Sequence, residues 1–149
     1  QAPESPMKLG KHFTLAEMTT TDTGLTNTPS AEYIAALARL VALVLDPLRA
    51  DLGRPVRVTS GYRSPAVNAQ VGGSATSQHL RGEAADIKVD GMTTADVARA
   101  IHRLRLPVDQ CIVERGDAGW VHVSTALDGG NRGQWLASPK AGQYVAWTP

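Results

Sequence analysis

The sequence predicts a single α+β domain in which helices pack against a small, mainly antiparallel sheet. Three observations carry this reading. Two stretches, residues 30–45 and 94–104, repeat apolar residues at helical spacing. Three short runs, residues 84–89, 110–114 and 120–124, have the length and alternation of strands. The chain has 149 residues, 42% hydrophobic and 19% charged, which is enough apolar material for one core and no more than one ordinary domain.

Taken in order, residues 1–11 hold two prolines among scattered polar groups and read as a loose leader, with the domain proper spanning 12–149. Phe13 to Met18 predicts a short helical turn, capped by Thr14 with Glu17 three residues on as its capping-box partner. Thr19 to Pro29 is a threonine-rich loop. Ser30 to Leu45 is the clearest helix, with Ile34, Leu37, Leu40, Val41, Val44 and Leu48 on one stripe. Pro47 lacks a donor and should end or restart that helix, with Asp46 capping a short second piece that contains Leu48 and Leu52. Val56 to Thr59 is a β-branched strand, followed by a turn over Ser60 to Pro65 and a short helix to about Val71.

Residues 72–79 read as a loop. In the strand Ala84 to Val89, Ala85, Ile87 and Val89 share one face, with Ala84, Asp86 and Lys88 on the other. Thr94 to Leu104 is a second amphipathic helix. Gln110 to Glu114 and Trp120 to Ser124 are separated by Arg115-Gly116-Asp117-Ala118-Gly119, a segment suited to a tight reversal that would pair them as a hairpin. The tail, residues 131–147, is polar with interspersed Trp135, Tyr144 and Trp147 and no strong period.

Composition narrows the function. Lysine and arginine total 15 against 14 aspartates and glutamates, without a basic stripe, which argues against a nucleic-acid binder. The longest apolar stretch, residues 34–45, is interrupted by Arg39 and too short to span a bilayer, so no membrane insertion is expected. Cys111, alone in an apolar run, reads as a buried small hydrophobe. The chain opens on Gln1, which is compatible with a cleaved export signal, an expression product or an excised domain. A monomer is the default expectation.

Four histidines occur, and two have suggestive surroundings. His79 precedes Gly82, which permits a turn, and then Asp86 on a strand. His122 lies on the strand face shared with Trp120 and Ser124. If those strands are neighbours, His79, Asp86 and His122 meet, and two imidazoles with one carboxylate suit zinc while leaving a position open for water. The competing reading is three satisfied polar groups at strand ends. Hydrolysis further needs a carboxylate to shuttle a proton, for which Glu114 and Asp117 are the candidates. Arg63, in the turn after the first strand, has a fork able to grip a carboxylate or to tie down its own loop.

Several stretches in order resemble the peptidase M15 family of zinc D-alanyl-D-alanine carboxypeptidases and related peptidoglycan peptidases, in the branch common in bacterial and phage cell-wall lytic proteins. They are Val58-Thr59-Ser60-Gly61-Tyr62-Arg63-Ser64-Pro65, Ser77-Gln78-His79 through Gly82, Ala85-Asp86-Ile87, Asp109-Gln110 with Glu114, and Trp120-Val121-His122-Val123-Ser124. Weaker echoes at Phe13 with Glu17, Asn27-Thr28-Pro29, Leu45 to Arg49 and Asn131-Arg132-Gly133-Gln134 extend the likeness over nearly all of residues 12–136.

The resemblance implies zinc ligands at His79, Asp86 and His122, a substrate-side arginine at Arg63, and substrate contact at Ser77. It implies the small α+β fold shared with the hedgehog signalling domain, and cleavage of peptidoglycan stem peptides at D-residues. Many relatives, the vancomycin-resistance dipeptidases among them, carry an acidic base three residues before the last histidine. Here that position is Gly119, which moves the expected base to Glu114 ahead of Asp117. A substrate in the cell wall implies an extracytoplasmic protein or one released at phage-type lysis. A non-catalytic zinc-binding wall module of the same fold is the alternative.

Overall fold

The computed structural model describes residues 7–149. Residues 1–6 of the expected leader lie outside the described residues. Residues 7–11 are tied to the domain: Lys8 bridges Thr14, and the Lys11 and His12 amides donate to the Asp46 carboxylate at 2.7 and 3.0 Å. Helix α1 (Leu15–Met18) has the expected capping box, with the Glu17 amide donating to Thr14 and the Glu17 carboxylate accepting from the Thr14 amide. Ser30 caps α2 (Ala31–Leu40).

The expected second piece with Leu48 and Leu52 is present, but no gap sets it off. A π-helical turn, Val41–Leu45, joins α2 to α3 (Asp46–Leu52) without interruption. The Asp46 amide donates to the Val41 carbonyl five residues back, which widens the turn just where the proline ring would crowd it. Pro47 follows at the start of α3, directly behind the widened turn. Asp46 caps nothing, because its backbone is helical (φ −64°, ψ −48°) and its carboxylate serves the Lys11–His12 segment instead.

Six strands form one sheet in the order β1-β2-β4-β3-β5-β6: β1 (Arg57–Ser60), β2 (Ala84–Lys88), β3 (Gln110–Glu114), β4 (Trp120–Ser124), β5 (Gln134–Ser138) and β6 (Val145–Ala146). All neighbouring pairs are antiparallel except β3 with β5. Strands β3 and β4 are the expected hairpin, closed by a 3-10 turn at Gly116–Ala118. Strands β5 and β6 lie in the tail expected to be irregular. β5 runs from exposed Gln134 through three half-buried residues to buried Ser138, and β6 has two exposed residues, so neither carries the alternation that marks a half-buried strand.

Helix α4 (Pro65–Gln70) follows β1, and α5 (Thr94–Arg103) lies between β2 and β3. Ala85, Ile87, Cys111, Val113, Val121 and Val123 point to one face of the sheet and form a continuous core with Val97 and Ile101 of α5 and with Leu37, Leu40 and Val44. Burial pushes the Cys111 thiol pKa up, as expected of a packing residue. The period-2 alternation sends Asp86, Ile112, Glu114, Trp120 and His122 to the opposite face, where the helices do not cover them. No helix among the described residues is long and apolar enough to cross a membrane.

Candidate metal centre

Asp86 sits in the middle of β2 and His122 in the middle of β4, and the antiparallel register sets them directly opposite each other. Their side chains share a face, and His122 Nδ1 lies 3.1 Å from Asp86 Oδ1. His79 arrives from a separate element. The segment expected as loop is a 3-10 turn, Gln78–Arg81, ended by Gly82 at φ +70°, a conformation that a side chain strains. A Cβ at Gly82 would also lie 2.5 Å from the Tyr33 carbonyl oxygen, so the turn is pressed onto α2. This places His79 Nε2 3.3 Å from the same Asp86 oxygen. One donor atom from each of the three residues lies within 4.8 Å of the other two.

The surrounding groups hold this geometry. His79 Nδ1 is 2.6 Å from the Gly61 carbonyl oxygen. A carbonyl only accepts, so Nδ1 carries a proton, and Nε2, which faces Asp86, is the nitrogen a metal would take. The second Asp86 oxygen accepts from Arg63 Nη2 at 3.3 Å. Arg63 is itself fixed by Nε donating to Ser60 (3.0 Å) and Nη1 to Asn68 (3.4 Å). Burial raises the Asp86 pKa, but the His79 and His122 imidazoles outweigh it and hold the carboxyl well below the usual range. His79 and Asp86 are only 3% and 6% exposed. Two imidazoles and an ionised carboxylate, with the far side of one ring already satisfied by a backbone carbonyl, are a donor set that fits a tetrahedral zinc ion with one open position.

Glu114 lines the same cleft, two register positions along from the Ile112–His122 pair and directly opposite Trp120. Trp120 Nε1 donates to Glu114 Oε2 at 3.0 Å, and the Arg115 guanidinium stacks over the Trp120 ring at 5.3 Å. Burial raises the Glu114 pKa and the Asp86 carboxylate raises it further, against His122, the Trp120 hydrogen bond and Arg115, which lower it. Asp117 lies on the exposed Gly116–Ala118 turn and lines a different depression.

The sequence profile of the peptidase M15 family matches residues 11–124, a span that includes the triad and Glu114. The chain belongs to the peptidase M15 family. Over 71 residues it is 38% identical to a zinc D-Ala-D-Ala carboxypeptidase from Streptomyces albus G, an alignment that covers 44% of this chain and 28% of that protein. The chain therefore matches little more than a quarter of that relative's length.

In this M15 domain the other expected site residues have visible local duties. Ser77 lines the cleft, and its hydroxyl accepts from the His79 amide at 3.2 Å, capping the turn that carries the histidine. Arg63 orients Asp86 while retaining N–H groups beyond the three in use. Gly119, where many M15 relatives carry an acid, has no room for one: a Cβ there would stand 1.7 Å from the Glu114 carbonyl oxygen. Asn27, which had no assigned role, donates to the Thr19 and Tyr62 carbonyls and accepts from the Ser64 amide, and so fixes the turn that carries Arg63. Trp120, Asn68 and Ser60 likewise gain roles only from their partners. The signal available for Asn27 was its place in the Asn-Thr-Pro echo, which says nothing of what it holds.

Proposed function

We propose that this domain is a zinc-dependent peptidase that hydrolyses stem-peptide bonds at D-amino acids in peptidoglycan. The observation that carries the reading is the His79–Asp86–His122 cluster, buried but open to a cleft of about 770 Å³ that also holds Glu114. The M15 family and the named activity of the Streptomyces relative support the chemistry and the substrate class. Zinc at these ligands would supply Lewis-acid activation of water and of the scissile carbonyl. Glu114 takes the proton of the attacking water and returns it to the leaving amine, a role favoured by burial that raises its basicity. Trp120 keeps the carboxylate from turning away. Arg63 holds Asp86 in place, and its spare N–H groups can meet substrate oxygen beside Ser77.

The cleft runs along the strands from Gln110 and Gln134 past His122 to Glu114 and Trp120. Gln110 and Glu114 are four residues apart on β3, roughly 13 Å, so an extended peptide has room on both sides of His122. This supports a cut within a peptide or cross-link, in an extracytoplasmic setting or at lysis, over removal of a single terminal D-alanine. Mass analysis of muropeptides after digestion separates the two: loss of one terminal residue against broken cross-links. Glu114→Gln should retain one zinc per chain and lose about 10²–10⁴-fold in rate. Undiminished hydrolysis by that variant would remove Glu114 from the mechanism.

A further inference from the structure

The end of the cleft away from Glu114 holds a second polar constellation. Asp109 is 3% exposed and accepts from the Arg132 amide (2.8 Å), from Arg132 Nε (3.1 and 3.2 Å) and Nη2 (2.7 Å), and from Gln78 Nε2 (3.0 Å). The two-pronged grip clamps an otherwise exposed arginine side chain at the cleft wall. The buried carboxylate uses Nε and Nη2, and among the described residues the Nη1 edge of the fork has no partner. Beside it, Gln134 accepts from Gln110 Nε2 through its oxygen (2.7 Å), which fixes the amide orientation and leaves the Gln134 NH2 group to donate elsewhere. Arg132, Gln134, Gln110 and Gln78 all line the cleft. The constellation is thus rich in donors held by partners behind them, and immobilised donors bind an anion with little further loss of freedom.

Charge and position agree. The three cleft arginines, Arg63, Arg115 and Arg132, are matched one for one by Asp86, Glu114 and Asp109, so a bound zinc ion would leave the region net positive. Gln110 stands two residues from Ile112 on β3, and Ile112 pairs with His122, which puts Gln110 roughly 7 Å along the strand; Gln134 pairs with Gln110 from β5, a second strand spacing across the sheet, and so lies roughly 12 Å from the ligand histidine. That is about two to four residues of an extended peptide away from the reacting bond. We infer that Arg132, with the Gln134 amide, forms a carboxylate subsite that selects substrates carrying a free carboxylate two to four residues from the scissile bond. This rests on the peptidase reading for the identity of the substrate but not for the existence of the subsite.

Two carboxylates in a stem peptide have the right chemistry: the α-carboxylate of a γ-linked D-glutamate and the C-terminal carboxylate. The test measures calorimetric binding to the zinc-loaded Glu114→Gln protein, which removes turnover from the readout. The probes are L-Ala-γ-D-Glu-L-Lys-D-Ala-D-Ala, the same peptide amidated at D-glutamate, and the same peptide amidated at its C-terminus. One amidation should weaken binding roughly 10–100-fold, the effect of losing a hydrogen bond between charged groups, and the amidation that does so identifies the source. Adding Arg132→Gln should abolish that acid-over-amide preference. Adding Gln134→Glu, at an exposed position that keeps its acceptor oxygen, should reduce it without disturbing the Asp109 clamp. A preference that persists undiminished in both variants, or no preference in the parent, overturns the subsite. Absence of hydrolysis by the wild-type protein with the preference intact would overturn the peptidase reading alone.

Discussion

Glu114 accepts a hydrogen bond from Trp120, and that bond stabilises its charged form. Burial and the Asp86 carboxylate push the other way, so the basicity of Glu114 is a balance in which Trp120 takes part. Removing the indole N–H with Trp120→Phe keeps an aromatic ring under Arg115 but lets the Glu114 pKa rise. A base must be ionised to act, so the acidic limb of the kcat/KM profile should move to higher pH while zinc content stays the same; an unmoved limb would separate Trp120 from the base. Arg63 makes a different kind of contribution. Its Nη2 on Asp86 orients a buried carboxylate whose other oxygen faces both histidines. Arg63→Ala should weaken zinc roughly 10–100-fold, the scale for groups that orient metal ligands, in competition with a chromophoric chelator. Unchanged affinity would restrict Arg63 to substrate contact.

At the scale of elements, the hairpin of β3 and β4 decides where an acid can stand. Gly119 packs against the Glu114 carbonyl, and its amide donates to Gly116 while Thr94 of α5 donates to the Gly116 carbonyl at 2.7 Å. Gly119→Glu, which would reproduce the acid of many relatives, should therefore open the turn and destabilise the fold by about 2–4 kcal/mol in urea unfolding, without rescuing a Glu114→Gln protein. A stable, active double variant would show that the turn tolerates the relatives' arrangement. The two strands of this hairpin were legible because each alternates cleanly and a tight reversal separates them. β5 and β6 were not, since a strand beside the sheet edge has no fully buried face to impose a period. Pro47 misled for a related reason. Proline disfavours an α-helical turn by local sterics, and the π-helical turn at Val41–Leu45 that admits it becomes worthwhile only because Val41, Val44, Leu45 and Leu48 are all buried in the core.

For the molecule as a whole, the sheet separates stability from chemistry. One face is sealed by helices around Ile87, Val113, Val121 and Ile101, and the other carries the polar groups over a cleft. The three candidate ligands were legible as residue types in suggestive motifs. Their meeting was not, because it depends on the Asp86–His122 register and on the turn that Gly82 ends against α2. The partners Asn27, Asn68 and Asp109 were out of reach of spacing altogether, since each acts across 31 or more residues or through a side chain whose direction only the fold sets. The arrangement as a whole stands or falls on one ion. Anomalous diffraction at the zinc edge from crystals grown with one equivalent of zinc measures it most directly. A single strong peak is expected about 2.0–2.2 Å from His79 Nε2, an Asp86 carboxylate oxygen and His122 Nδ1. A peak elsewhere, or none at this cluster, would contradict the zinc site.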